Sequence, residues 1–154
     1  MASERVLRRL SAGVAIAGIG VATYITIADA GGGAPQCLAG GHGCATVAES
    51  HYSHIAGVNV SVFGIVGYVL LLAAALTPGD PGRFGGFMGA LIGFGFSAYL
   101  TYLEVFVIDA ICQWCVASAV LMTVLLGLNA ARAFAYAGSE FAIASSPDVR
   151  DDAL

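Results

Sequence analysis

Four long apolar stretches, at about Leu10 to Ala30, Val58 to Thr77, Phe84 to Ile108 and Ile111 to Ala137, alternate with segments punctuated by Gly, Pro and Asp. Each is close to the ~20 residues that carry a helix across the ~30 Å hydrocarbon core of a bilayer. A segment in lipid has to satisfy its backbone polar groups internally, and the period-two alternation of a barrel strand is absent, so the pattern predicts helices. The expected fold class is an all-α membrane protein, a four-transmembrane-helix bundle over residues 1–137 with spans at 10–30, 58–77, 84–108 and 111–137. Residues 31–57 form an outer loop, and the polar, acidic stretch 138–154 reads as a disordered tail. On the third stretch Gly85, Gly89 and Gly93 recur every four residues, with Gly86, Ala90 and Gly95 nearby, a small-residue pattern that lets helix backbones approach closely.

The arginines orient the bundle. Arg5, Arg8 and Arg9 precede the first stretch, Arg83 lies between the second and third, and Arg132 and Arg150 fall near or after the end of the fourth. All six are on one side, which the positive-inside rule makes cytoplasmic, so the N- and C-termini are cytoplasmic and the arginine-free loops face out. The expected location is the cell (inner) membrane, multi-pass, with the chemistry on the extracytoplasmic side. Arginines, an apolar run and Ala28-Asp29-Ala30 together imitate a secretory signal peptide. The run is longer than a usual signal core, which favours a retained helix, and cleavage would leave the cysteines outside in either case.

Composition agrees with this reading. The chain is 58% hydrophobic and only 10% charged, with no lysine and a net charge of -4, far from the surface of a soluble domain and too acidic for nucleic acid.

The candidate chemistry lies in four cysteines, paired as Cys37 with Cys44 and Cys112 with Cys115. Cys112-Gln113-Trp114-Cys115 opens the fourth helix at the outer face, where unpaired N–H groups and a partial positive charge favour the nucleophilic thiolate. Cys112 is expected to be the better exposed thiol, with Cys115 one turn deeper, facing the apolar bundle where a lipid-soluble acceptor can reach it. Two bland readings compete: packing cysteines, or half of a metal site with His42, His51 and His54, whose spacing is unlike that of structural zinc sites. Val116 after Cys115 speaks against haem attachment. Cys37 and Cys44 lie in a glycine-rich loop, as a mobile shuttle pair or as a static staple of the kind outer loops often carry. Glu104 lies about 6 Å from the outer end of its helix, near enough to snorkel or to hand protons to a reduced acceptor.

Val60-Ser61-Val62-Phe63-Gly64 on the second stretch, Tyr99-Leu100-Thr101-Tyr102-Leu103-Glu104 on the third and Ile111-Cys112-Gln113-Trp114-Cys115 on the fourth together resemble the vitamin K epoxide reductase family in its bacterial branch, over about residues 10–137. The resemblance implies a quinone, menaquinone or ubiquinone, held in the bundle, with Cys115 reacting with it and Cys112 as its disulfide partner. Cys37 would meet a separate thioredoxin-like (DsbA-like) dithiol protein, and Cys44 would pass electrons to Cys112. The family's serine maps onto Ser61, and Phe63, Asn59, Ala119 and Glu104 join it as candidate quinone contacts. Animal members carry an asparagine beside that serine and a tyrosine four residues after the second C-x-x-C cysteine; Val60 and Ala119 stand there, which argues against vitamin K epoxide as substrate. The DsbB type of oxidase places its C-x-x-C in the first outer loop, the reverse of the order here. The alternative from another class is a non-catalytic scaffold or small transporter with structural disulfides.

Overall fold

In a computed structural model, which describes residues 2–38 and 40–144, the chain is mostly helical. Helix α1 runs over Ala2–Ala30, α3 over Val60–Leu76, α4 over Asp80–Phe106 and α5 over Gln113–Ala144. Between α1 and α3 lie the short helix α2 (Gly43–Ala48), a single 3-10 turn (His51–Ser53) and two short strands, β1 (His54–Ile55) and β2 (Val58–Asn59). Three helices, α1, α4 and α5, are long and apolar enough to cross a membrane, while α3 is a shorter apolar helix of 17 residues.

Two features add detail to the expected pattern. The outer segment is not wholly irregular, because β1 and β2 pair antiparallel around Ala56 and Gly57, both at positive φ (54° and 82°), a turn that glycine eases. The segment read as a disordered tail begins as helix, since α5 continues to Ala144. Adding residues to an existing helix costs far less than nucleating one, and residues 138–144 contain no proline to stop it. Residues 145–154, with Arg150, lie outside the described residues.

The helices pack α1 on α3 and α5, and α4 on α3 and α5. Small residues set the spacing, though not all those picked from the period. A methyl group at Gly93 would sit 2.8 Å from Met122 Sδ and one at Gly89 3.3 Å from Leu71 Cδ2, whereas Gly85 and Gly95 face open space. Ala15, Ala90, Leu125 and Tyr68 are fully buried at the centre, and Gly18 lies against the Tyr68 ring so closely that any side chain there would collide with it. The outside is apolar in turn: Ile92 is 73% exposed, Phe84 69% and Phe134 69%, a surface suited to lipid rather than water.

The two ends differ in charge. At one end Arg83 pairs with Glu4 at 2.6 Å and Asp80 at 2.9 Å, and Arg8 donates to the terminal α3 carbonyls of Ala75 (2.9 Å) and Leu76 (2.6 Å). The guanidinium of Arg132 lies buried at that end and donates to Asn129 Oδ1 at 3.1 Å. The cysteines occupy the opposite end.

Candidate functional site

At the cysteine end the helices part around a cavity walled by α1, α3, α4 and α5 and roofed by residues of the outer segment such as Pro35 and Val47. Cys44, Cys112 and Cys115 all line it, with Glu104, Ser61 and Phe63. Ile25, Phe96 and Leu100 make the walls mainly apolar, and Tyr68, Ser118 and Met122 form the floor. Toward the arginine end the packing closes, with Leu71 and Leu125 buried below. A concave apolar site with a few converging polar groups is the usual form of a small-molecule site.

Cys37 and Cys44 are joined by a disulfide, while Cys112 and Cys115 are free thiols. The loop pair is less loose than its glycines suggest. Cys44 is 1% exposed, and its N–H donates to Cys37 Sγ at 3.3 Å. The expectation that Cys112 is the more open thiol is reversed: it is 2% exposed, whereas Cys115 is half-buried against the cavity. The cause is α2, which lies over the start of α5. Gly43 is so close to the Ile111 carbonyl that a side chain at this position would collide with it. The Cys112 carbonyl accepts the N–H of Val116 at 3.0 Å, so the residue stands at the N-terminal end of α5, where the helix favours a thiolate.

Glu104 does not snorkel. It is 3% exposed and turned inward, where its carboxylate accepts the Cys112 N–H at 3.0 Å and meets the Cys115 thiol. The reversal after α4 explains this geometry. Asp109 takes positive φ (53°) and the Ala110 N–H returns to the Glu104 carbonyl at 3.1 Å, which folds the start of α5 back over Glu104. The N–H of Cys112 belongs to a helix start and lacks a partner inside its helix, a need the carboxylate meets.

On the opposite wall Asn59 caps α3, its Oδ1 accepting Ser61 N–H at 2.8 Å and Ser61 Oγ at 2.6 Å. Ser61 also bonds Thr26 Oγ1 of α1 at 2.7 Å. Asn59 and Ser61 thus line the cavity and tie α3 to α1. Phe63 lines it as well and is 46% exposed, reaching from the cavity to the outer surface. Ala119 is not among the lining residues; its neighbour Ser118 is, and Ser118 holds the Tyr68 hydroxyl through its carbonyl (3.0 Å) and Oγ (2.8 Å). Sequence reasoning missed Tyr68, Ser118 and Thr26. The available signal was a tyrosine amid an apolar helix, since a buried phenol needs a polar partner. Among the described residues no cluster of three His, Cys, Asp or Glu side chains forms a metal site.

The family model for the vitamin K epoxide reductase family matches residues 9–130, most of the chain. The chain belongs to the vitamin K epoxide reductase family. No match was found among curated individual proteins. Members of this family are oxidoreductases that use quinones and work with thioredoxin-like partners, so membership implies membrane disulfide and quinone redox chemistry. Of the nine residues expected at the site, seven line the one cavity: Cys44, Cys112, Cys115, Ser61, Phe63, Asn59 and Glu104. Cys37 is reached through its bond to Cys44, and Ala119 stands apart from the lining.

Proposed function

We propose that the protein is a membrane thiol:quinone oxidoreductase that oxidises a separate thioredoxin-like dithiol protein and supports extracytoplasmic disulfide-bond formation. The observation that carries this reading is the shared cavity, in which a loop cysteine, both C-x-x-C cysteines and a buried carboxylate face one apolar space. In this scheme α3 is the fourth span, the arginine end is cytoplasmic and the cysteine end extracytoplasmic.

The cycle balances without a metal. The partner's dithiol reduces the Cys37–Cys44 bond and leaves as a disulfide. The Cys44 thiolate attacks Cys112, breaking the Cys112–Cys115 bond and forming a Cys44–Cys112 bridge; the Cys37 thiolate then displaces Cys112 from Cys44. Two electrons now rest on the inner pair, with Cys37–Cys44 bonded again and Cys112 and Cys115 as free thiols. Cys115, open to the cavity, passes them to the quinone, the inner disulfide reforms and two protons go to the quinol. Glu104 accepts the Cys115 proton and relays it. Ser61, Asn59 and Phe63 form the wall that receives the quinone ring. A strongly oxidising dithiol partner, near about −120 mV, needs an acceptor more oxidising still, a condition a quinone pool can meet.

The test is quinone reduction by the purified protein in detergent or liposomes, given a reduced thioredoxin-like dithiol. Stoichiometric quinol and partner disulfide are expected. A scaffold or transporter with stapled loops would produce neither.

A further inference from the structure

Between the loop disulfide and the C-x-x-C lies a second set of contacts that the redox chemistry does not use. The Trp114 indole N–H donates to the Gln36 carbonyl at 2.9 Å. The Gln36 N–H in turn donates to the Tyr24 hydroxyl at 3.2 Å. The Tyr24 and Trp114 rings pack on each other with centroids 4.8 Å apart and planes tilted by 48°. Both backbone polar groups of the residue next to Cys37 are therefore held by two mutually packed aromatic side chains, one from α1 and one from inside the C-x-x-C.

The surrounding chain makes this hold matter. Gly32, Gly40 and Gly41 take positive φ (73°, 71° and 112°), so the segment has freedom on both sides of Gln36. Pro35, buried in the cavity roof, stiffens the link just before it. On the far side of the disulfide, Cys44 is fixed by α2 resting on Ile111. The loop pair is thus anchored at two points, and each anchor leads to the first turn of α5 that carries its redox target.

We infer that Trp114 and Tyr24 are positioning residues which hold the Cys37–Cys44 pair in register with Cys112, so that exchange between the two pairs is an oriented intramolecular step. This rests on the proposed thiol:quinone relay and adds to it a determinant of the loop-to-helix step. Orientation of reacting groups is where such a step gains its rate, and a shift of about 1 Å can cost a hundredfold.

The experiment separates three steps in Trp114→Phe and Tyr24→Phe. Each variant keeps an aromatic ring and loses one hydrogen bond to Gln36. Oxidised full-length protein is mixed with reduced thioredoxin-like dithiol, quenched in acid and alkylated, and peptide mapping follows the loop pair and the inner pair separately. Both variants should reduce the loop pair at the wild-type rate, then pass electrons to Cys112–Cys115 about tenfold more slowly, so that protein with a reduced loop and an intact inner bond accumulates. Protein with both pairs reduced in advance should reduce quinone in a single turnover at the wild-type rate. Inner-pair reduction at the wild-type rate in both variants would overturn the inference. So would an equal loss in the pre-reduced turnover, because the aromatic pair would then support the quinone site itself. If Trp114→Phe does not fold, Tyr24→Phe decides, since it removes only one hydroxyl from a ring already 39% exposed. A wild-type protein that never reduces quinone would instead refute the relay, a result distinct from either outcome of the variants.

Discussion

Replacing Glu104 with glutamine tests the proton path with little change of shape. Glutamine keeps a carbonyl oxygen that can accept the Cys112 N–H, which the carboxylate now does at 3.0 Å, so the start of α5 should stay in place. What it loses is the capacity to take a proton from Cys115, which Glu104 meets in the cavity. A positioned acid–base group contributes about 10²–10⁴ in rate. Quinone reduction should therefore fall at least about a hundredfold, equivalent to about 2.7 kcal/mol of barrier. Thiol exchange between the partner and the loop pair should change less than about threefold. Glu104→Leu is the harsher companion: it orphans a buried N–H at a cost of about 1–3 kcal/mol and should also lower thermal stability, which the glutamine variant should not. The assay is stopped-flow quinone absorbance on protein with both cysteine pairs reduced beforehand, with melting followed in parallel. Quinone reduction within about threefold of wild type in Glu104→Gln would refute the proton role and leave Glu104 as a structural clamp on Cys112.

Two further outcomes are expected. In Cys115→Ala the lone Cys112 thiolate can attack the Cys37–Cys44 bond at Cys44 and free Cys37, so non-reducing peptide mapping after acid alkylation should show a Cys44–Cys112 cross-link as the main species, with quinone reduction abolished; an intact Cys37–Cys44 bond beside a free Cys112 would make the loop pair a staple. A single cysteine at exposed Glu49, in a background lacking the native four, should react with an impermeant maleimide on intact cells while one at Pro78 should not, and labelling at Pro78 would reverse the assumed orientation.

Much of this was legible in the chain because lipid imposes few options. Apolar run length located α1, α4 and α5, and the arginines marked one end of the bundle; Arg8 and Arg83 do lie together there, beside Glu4 and the end of α3. Adjacent motif residues share a single cavity, since Ser61 and Phe63 open α3 and Cys112 and Cys115 open α5. What stayed hidden depends on contacts between segments distant in sequence. Burial of Cys112 follows from Gly43 meeting Ile111, 68 positions along the chain from each other by number, and no local pattern encodes that encounter. The inward turn of Glu104 depends on Asp109 adopting positive φ, which an isolated Asp signals only weakly. Tyr24 and Trp114 lie 90 positions apart with no local signal that joins them, and only their meeting over Gln36 gives them a common part.

The closed floor of the cavity carries a consequence for bioenergetics. Tyr68 and Met122, with Leu125 packed beneath, separate the redox centre from the arginine end. In the proposed cycle, dithiol, quinone and the protons they exchange therefore meet on the same side of that barrier. Two electrons and two protons leave sulfur and arrive at the quinone ring without crossing the dielectric. Moving one elementary charge through a potential of 100 mV is worth about 2.3 kcal/mol, and a turnover that moves none neither draws on that reservoir nor fills it. On the proposed relay the catalytic step would be electrically silent, so its direction would follow the redox poise of the quinone pool and not the voltage across the membrane.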